Sequence, residues 1–466
     1  MTTPGGGIAP ITPTSVTGGA AGTAAHYDDM EVAAGLIRGV GADVLGVVAA
    51  SHAILVDADI VASASLDPAG AVRFETALGR ALDGEGGLSR IGMRIGATAA
   101  RLQAAVVTYR TVDGAEARLL DAAEFVGGPT LILDTLLLAG GDVAGRMLHG
   151  DSFGTAAQRV ITDHPGLVDT LAGGAPGTLS ALISLSPLTA LAFALGPGLP
   201  TTVPQAAALI GSLYPDGSSK VTDLDADDSI TGRKPPRNIT DLLVDLDRRS
   251  AGDKGEIDVR MVEKQLPGGA VQRAYIVDIP GTKVWNLPGS SPDVNDTGTN
   301  MRAIGNETTS YERGIGEALA RAGARPGDAV MLVGHSQGGI VAADAARDFT
   351  RSGRYKVTHV VTAGSPVAQV DVPPSVQVLS IENEHDIIPH LDARANPDTA
   401  NWITVTVDRQ NGTVGDNHSL GRVYLPAAAG LDQSNDPSIR TYVDSADAFL
   451  GGDAVTTQKY RVERTP

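Results

Sequence analysis

The sequence predicts an all-α helical-hairpin domain followed by an α/β domain, whose mostly parallel sheet carries helices on both faces. Three observations predict it. Apolar residues over the first hundred positions recur with helical period. Beyond about residue 237, apolar runs of strand length alternate with amphipathic helical patterns. One of those runs, "DAVMLV", stops at a glycine and passes at once into "GGIVAADAARDF", a helix.

Residues 1–25, "MTTPGGGIAPITPTSVTGGAAGTAA", have neither the basic start nor the apolar centre of a secretory signal, and read as a disordered lead-in. From His26 to about Leu66 the spacing of Met30, Ala33, Ala34, Leu36, Ile37, Val40, Val44, Val47 and Val48 predicts a helix. Asp67-Pro68 interrupts it as a turn and helix start. A second helical pattern runs to Phe125, broken by "DGEGG" at 83–87. Residues 26–125 are therefore expected to form a helical hairpin.

Residues 126–215 are read as an apolar helical cap. Within them, 170–215 hold no charged residue. A run this apolar must be hidden or used against lipid. Pro187 and Gly196-Pro197-Gly198 break it into lengths that suit short helices better than a membrane span of ~20 residues. Residues 216–236 are turn-rich and acidic, and read as a linker. Asp223, Asp225 and Asp227 alternate like a calcium loop, but Asp228 and Lys234 stand where such a loop needs glycine and glutamate. From 237 to 450 come the helix "ITDLLVDLDRR", the strands "EIDVRMVEKQ" and "VQRAYIVDI", the helix "TSYERGIGEALARAG", and the strands "THVVTA" and "VQVLSI". Residues 451–466 read as a tail.

Composition narrows the function classes. The 466 residues hold 42% hydrophobic side chains, enough for a sizeable core, and a net charge of −18. Such a chain repels phosphate backbones, so no nucleic-acid partner is expected. There is no cysteine, which excludes disulfides and thiolate chemistry. No His/Asp spacing resembles a ligand cluster, so neither a metal nor another cofactor is expected.

The chemistry concentrates at "VGHSQGG". A strand that ends in Gly-x-Ser-x-Gly and turns directly into a helix describes a nucleophile elbow. Gly334 and Gly338 remove side chains that would clash across the turn, leaving Ser336 exposed at the helix N-terminus. The backbone N–H of Gln337 then points to where an oxyanion would form. A second donor is expected after an earlier strand, and "AYIVDIPGTKVW" offers Thr282 beside Gly281. Serine needs a base, and the base an orienting acid, in the chain order Ser, acid, His. Asp386 lies in the loop after "VLSIENEH", with Glu382 and Glu384 as alternatives. His359 falls at the start of a strand, too early. His385 and His390 flank Asp386 too closely. His418, in the late polar loop "GDNHSLG", is the expected base.

Residues ~235–450 resemble an α/β hydrolase, close in pattern to the class 3 lipases, through "GHSQGG", "VVTAGSP" (360–366), "HDIIP" and the late His418. The resemblance implies an α/β-hydrolase fold, a triad of Ser336, Asp386 and His418, and an acyl-ester or lipid substrate. The sequence departs at Pro280-Gly281-Thr282, where class 3 lipases commonly have Arg-Gly-Thr. The N-terminal hairpin is similar to actinobacterial type VII secretion substrates, which carry Tyr-x-x-x-Asp/Glu after the second helix. Tyr109 and Asp113 in "YRTVD" match that signal, although the Trp-x-Gly turn is absent. That likeness implies export without a Sec signal, hence a secreted or envelope-associated protein with a secretion-machinery or helical partner. A cytoplasmic location is the alternative. The readings competing with a serine esterase are an exported hydrolase-fold binding protein without catalysis, and an amidase or peptidase on the same fold.

Overall fold

The computed structural model describes residues 8–84, 86–103, 106, 146, 172, 175–176, 178–180, 199–227 and 230–465. The chain divides into two compact units, Ala24–Leu119 and the remainder. In the smaller unit, helix Thr23–Ile54 is followed by short helix Ala58–Ser63, helix Pro68–Asp83 and a helix over 88–103. Asp67 caps the third of these through the Gly70 N–H, with Pro68 in the first turn. The first and last helices run antiparallel. Arg38 donates to Gln103 at one end, and Gly41 packs against Gly92 and Gly96 further along. Within residues 29–54 an 18-residue stretch reaches a mean hydropathy of 1.7, and the helix is long and apolar enough by length and composition to cross a membrane. Tyr109 and Asp113 lie outside the described residues, as do 181–198 of the expected cap. Of that cap, helix Val203–Gly211 packs on helix Thr297–Ile304, where the Tyr214 carbonyl accepts from Arg302 at 2.9 Å.

Among the described residues, the larger unit is a mixed α/β structure built on a nine-stranded sheet. The strands are β1 (Ser15–Gly18), β2 (Ser218–Leu224), β3 (Glu256–Gln265), β4 (Val271–Ile279), β5 (Ala329–His335), β6 (Lys356–Ala363), β7 (Gln377–Asn383), β8 (Trp402–Val407) and β9 (Ala454–Thr465). Their spatial order is β1-β8-β7-β6-β5-β4-β3-β9-β2. The central strands β4 to β8 are mutually parallel, and antiparallel strands extend both edges. Strand alternation divides the core in two. Val330 and Leu332 face one layer with helices Ser310–Arg321 and Gln337–Ser352. Met331 and Val333 face the other with helix Ile239–Ser250 and the C-terminal helices. Both faces are covered, which is why the central strands read as continuous apolar runs.

The expected boundaries change in three places. Residues 1–25, read as a disordered lead-in, supply β1, with Val16 opposite Val405 of β8. Residues 216–236, read as a linker, supply β2 and the buried Arg233. Residues 451–466, read as a tail, form β9, which lies between β3 and β2. These strands bury only one side, so their polar alternation resembles loop, and each finds its partner far away in sequence.

Arg233 joins a buried ion cluster between β3, β4 and helix Ile239–Ser250. Arg233 contacts Asp258 at 2.7 Å. Arg260 bridges Asp245 and Asp278 at 2.8 and 2.6 Å, and Arg249 bridges Asp258 and Glu256 at 3.0 and 2.6 Å. Burying these charges is tolerable only because each has a partner. The cluster ties the segment before helix Ile239–Ser250 to β3 and β4.

Candidate active site

The C-terminal ends of four adjacent parallel strands converge on Ser336. Across β4 and β5, Ile279 lies opposite Gly334. Across β5 and β6, His335 lies opposite Ala363, and across β6 and β7, Ala363 lies opposite Ile381. Loops leaving these ends therefore meet at one edge, where open α/β sheets place their ligand sites.

Ser336 sits at φ 56°, ψ −126°, left-handed backbone that a non-glycine residue adopts only under constraint. The constraint is close packing. A Cβ on Gly334 would lie 2.2 Å from the Gly338 carbonyl oxygen, and one on Gly338 would lie 1.9 Å from that of Ile279. The two glycines expected to make the elbow possible thus let it press against the end of β4. Gly281 comes equally close, since its Cβ would stand 2.8 Å from the Ser336 Cβ.

His418 Nδ1 donates to Asp386 Oδ2 at 2.6 Å. The same oxygen accepts from the Tyr424 hydroxyl at 2.5 Å, and Asp386 Oδ1 accepts from the Ile388 N–H at 3.0 Å. Asp386 is fully buried. With Nδ1 committed to Asp386, Nε2 is the nitrogen left to handle a proton. Ser336 and His418 line one pocket of about 360 Å³, together with Gly281, Thr282 and Lys283. All three residues expected from the sequence are thus brought together: a serine and a histidine on one pocket, with the carboxylate behind the imidazole.

The alternatives are engaged elsewhere. Glu382 accepts from Asn396 at 2.6 Å and Glu384 from Thr14 at 2.7 Å. His385 Nε2 pairs with Asp408 at 3.0 Å. His359 is a core residue against Tyr442 and Phe449, with Nε2 on Ser445 at 2.9 Å, and burial lowers its pKa to about 4. Held neutral in the fold against ~6.5 when unfolded, His359 adds stability in full above pH 6.5 and loses it as pH falls toward 4. The difference is on the order of 3 kcal/mol. The stability lost between pH 7 and pH 4, read by urea titration, is expected to shrink by about that much in His359→Phe.

The expected oxyanion donors take different positions. The Gln337 N–H belongs to the first turn of helix Gln337–Ser352, where backbone donors have no helical acceptor. Its side chain is buried and anchors the turn by donating to the Asp296 carbonyl at 2.7 Å and to Asn300 Oδ1 at 2.8 Å. Asn300 Nδ2 in turn donates to the Thr282 hydroxyl at 3.0 Å. That hydroxyl is held against Asn300, which leaves the Thr282 backbone as the group available to the pocket.

Three further residues support Asp386 and His418. Tyr424 holds the acid, and burial together with Asp386 raises its own pKa well above the ordinary phenol value. His335 stacks on His418 with ring centroids 4.4 Å apart, and its Nε2 donates to the His418 carbonyl at 2.9 Å. Burial, then the neighbouring His418, hold the His335 pKa well below the usual histidine range, so it packs as a neutral ring. Gly364, in "AGSP", lies at φ 59°. A Cβ there would stand 2.6 Å from the Tyr424 hydroxyl and 2.8 Å from Asp386 Oδ2. Only the glycines and the His in the motif were visible beforehand, and nothing local marks Tyr424. Gly364→Ala is expected to cost roughly 1–3 kcal/mol in denaturant unfolding. Gly412→Ala, which faces open space, is expected to stay within about 0.5 kcal/mol.

No family model matches the chain, and no curated protein matches it. One solved structure is similar, that of the gene lin2722 product from Listeria innocua. It is 14% identical and covers 51% of this chain and 92% of its own, with a TM-score of 0.22. A likeness that low carries no argument about fold or chemistry. The functional reading rests on the geometry of this chain alone.

Proposed function

We propose that this protein is a serine ester hydrolase of α/β-hydrolase architecture, acting through an acyl-enzyme on Ser336. The observation that carries the reading is the strained, positive-φ Ser336, facing the same pocket as a histidine whose other nitrogen is tied to a buried carboxylate. Backbone strain at an exposed nucleophile costs free energy that a purely structural turn has no reason to keep. His418 Nε2 takes the proton from Ser336 Oγ as the oxygen attacks the ester carbonyl. The Gln337 and Thr282 backbone N–H groups receive the developing oxyanion. His418 then returns the proton to the leaving alcohol. Water repeats the sequence on the acyl-enzyme and releases the acid.

Acyl esters suit the pocket better than peptides, because Ile388, Leu420 and Trp285 give it an apolar wall. The decisive experiment is labelling with a fluorophosphonate probe, which forms a stable adduct only with an activated serine. Wild type is expected to label, and Ser336→Ala is not. Equal labelling of both proteins would refute the reading.

A further inference from the structure

The pocket at Ser336 contains a carboxylate to which the ester-cleaving chemistry assigns no role. Asp247 lines it from helix Ile239–Ser250. Its side chain is half-buried and, among the described residues, accepts no hydrogen bond and makes no ion pair. The charged groups beside it on the helix are all committed. Asp245 is held by Arg260 and Arg248, and Arg249 by Glu256 and Asp258. Burial raises the Asp247 pKa, while Arg248 lowers it. A carboxylate withdrawn from water without a partner is costly unless something binds it.

Two further features of the same pocket indicate what binds. Among the described residues Lys283 is the one lysine or arginine of its lining, and its ammonium is turned onto the carbonyls of Ser250 and Gly252 at the end of the helix. Burial and the nearby Arg249 push its pKa down. The cation within reach is therefore spent on the backbone rather than on Asp247. Among the described residues of the lining, only His335 and His418 besides Lys283 could carry positive charge. Trp285 also lines the pocket and is 75% exposed. An exposed indole on the same pocket as a carboxylate is the combination that recognises organic cations, by cation–π attraction and by charge. A chain with net charge −18 also draws cations toward it.

We propose that Asp247 and Trp285 form a subsite for an ammonium or quaternary ammonium group on the substrate. This rests on the ester-hydrolase reading for its role in turnover, but not for binding. The site would then take esters whose alcohol or acyl part carries a positive charge close to the scissile bond.

The test uses the full chain with two readouts. The first is choline binding, followed by tryptophan fluorescence. The chain has only two tryptophans, and the other, Trp402, is buried in the core. Saturable quenching is expected in wild type and in Ser336→Ala, weakened about tenfold or more in Asp247→Asn. The second readout is the ratio of kcat/KM for butyrylcholine to that for 3,3-dimethylbutyl butyrate, a neutral ester of the same shape. The ratio is expected to drop about tenfold in Asp247→Asn and to drop also in Trp285→Leu. If choline fails to bind wild type, or binds Asp247→Asn equally well, or if the ratio does not move, the subsite is overturned. If neither ester is cleaved by any form while choline binding still depends on Asp247, the hydrolase reading fails and the subsite stands.

Discussion

Ser336→Ala is expected to lower hydrolysis of p-nitrophenyl butyrate by a factor on the order of 10⁶, the scale on which nucleophile deletions act in serine hydrolases. The fold should survive. Alanine meets the same positive φ as serine does at this position, so the strain at φ 56° neither grows nor relaxes. Gly334, Gly338 and Gly281 continue to accept the turn, because none of their close approaches involves a bond made by the Ser336 hydroxyl. The thermal midpoint should shift by no more than a few degrees. A rate close to wild type in a well-folded Ser336→Ala protein would end the assignment, wherever the residual activity came from.

His418→Ala should match Ser336→Ala in severity, because the imidazole moves the proton in both halves of the reaction. Adding it to Ser336→Ala should cost nothing more, since the two act as one unit. Asp386→Asn is expected to fall short of both, at a loss of about 10⁴-fold. The amide can still occupy the space, yet it offers His418 Nδ1 the wrong partner. Tyr424→Phe removes one of the three donors that Asp386 has among the described residues, while leaving the His418 and Ile388 contacts. A loss of about tenfold is expected there, of the size of one hydrogen bond to a charged group. Rates for the four variants on one ester decide the order. If His418→Ala keeps its activity and His390→Ala does not, the base has been misassigned.

Much of this architecture was legible because it is local. A strand that ends in Gly-His-Ser-Gln-Gly and becomes a helix occupies consecutive residues, and β5 with its following helix matches that pattern. The order of the proposed triad could be read because chain order limits which loops can reach the turn at Ser336. Asp386 and His418 follow β7 and β8 as separate loops, and they meet at 2.6 Å. The edges of the sheet were not legible. β1, β2 and β9 alternate polar and apolar residues weakly, and their partners lie hundreds of positions away, as Ser15 opposite Thr406 and Ser218 opposite Thr465 show.

By itself the sequence determined where the tight strand–helix turn at Ser336 falls, which residues could complete the proposed triad, and that apolar strands would be covered on both faces. These follow from periodicity and from the few backbone shapes that a residue can adopt. Tertiary structure alone decided which groups support Asp386 and His418. Tyr424 reaches Asp386, Gly364 leaves room for both, and His335 stacks on His418, although no spacing in the chain relates them. It also decided that Lys283 turns to the backbone while Asp247 lines the pocket with no partner among the described residues. Charge is written in the sequence, but whether a charge is already neutralised depends on which distant atoms the fold brings within about 4 Å of it.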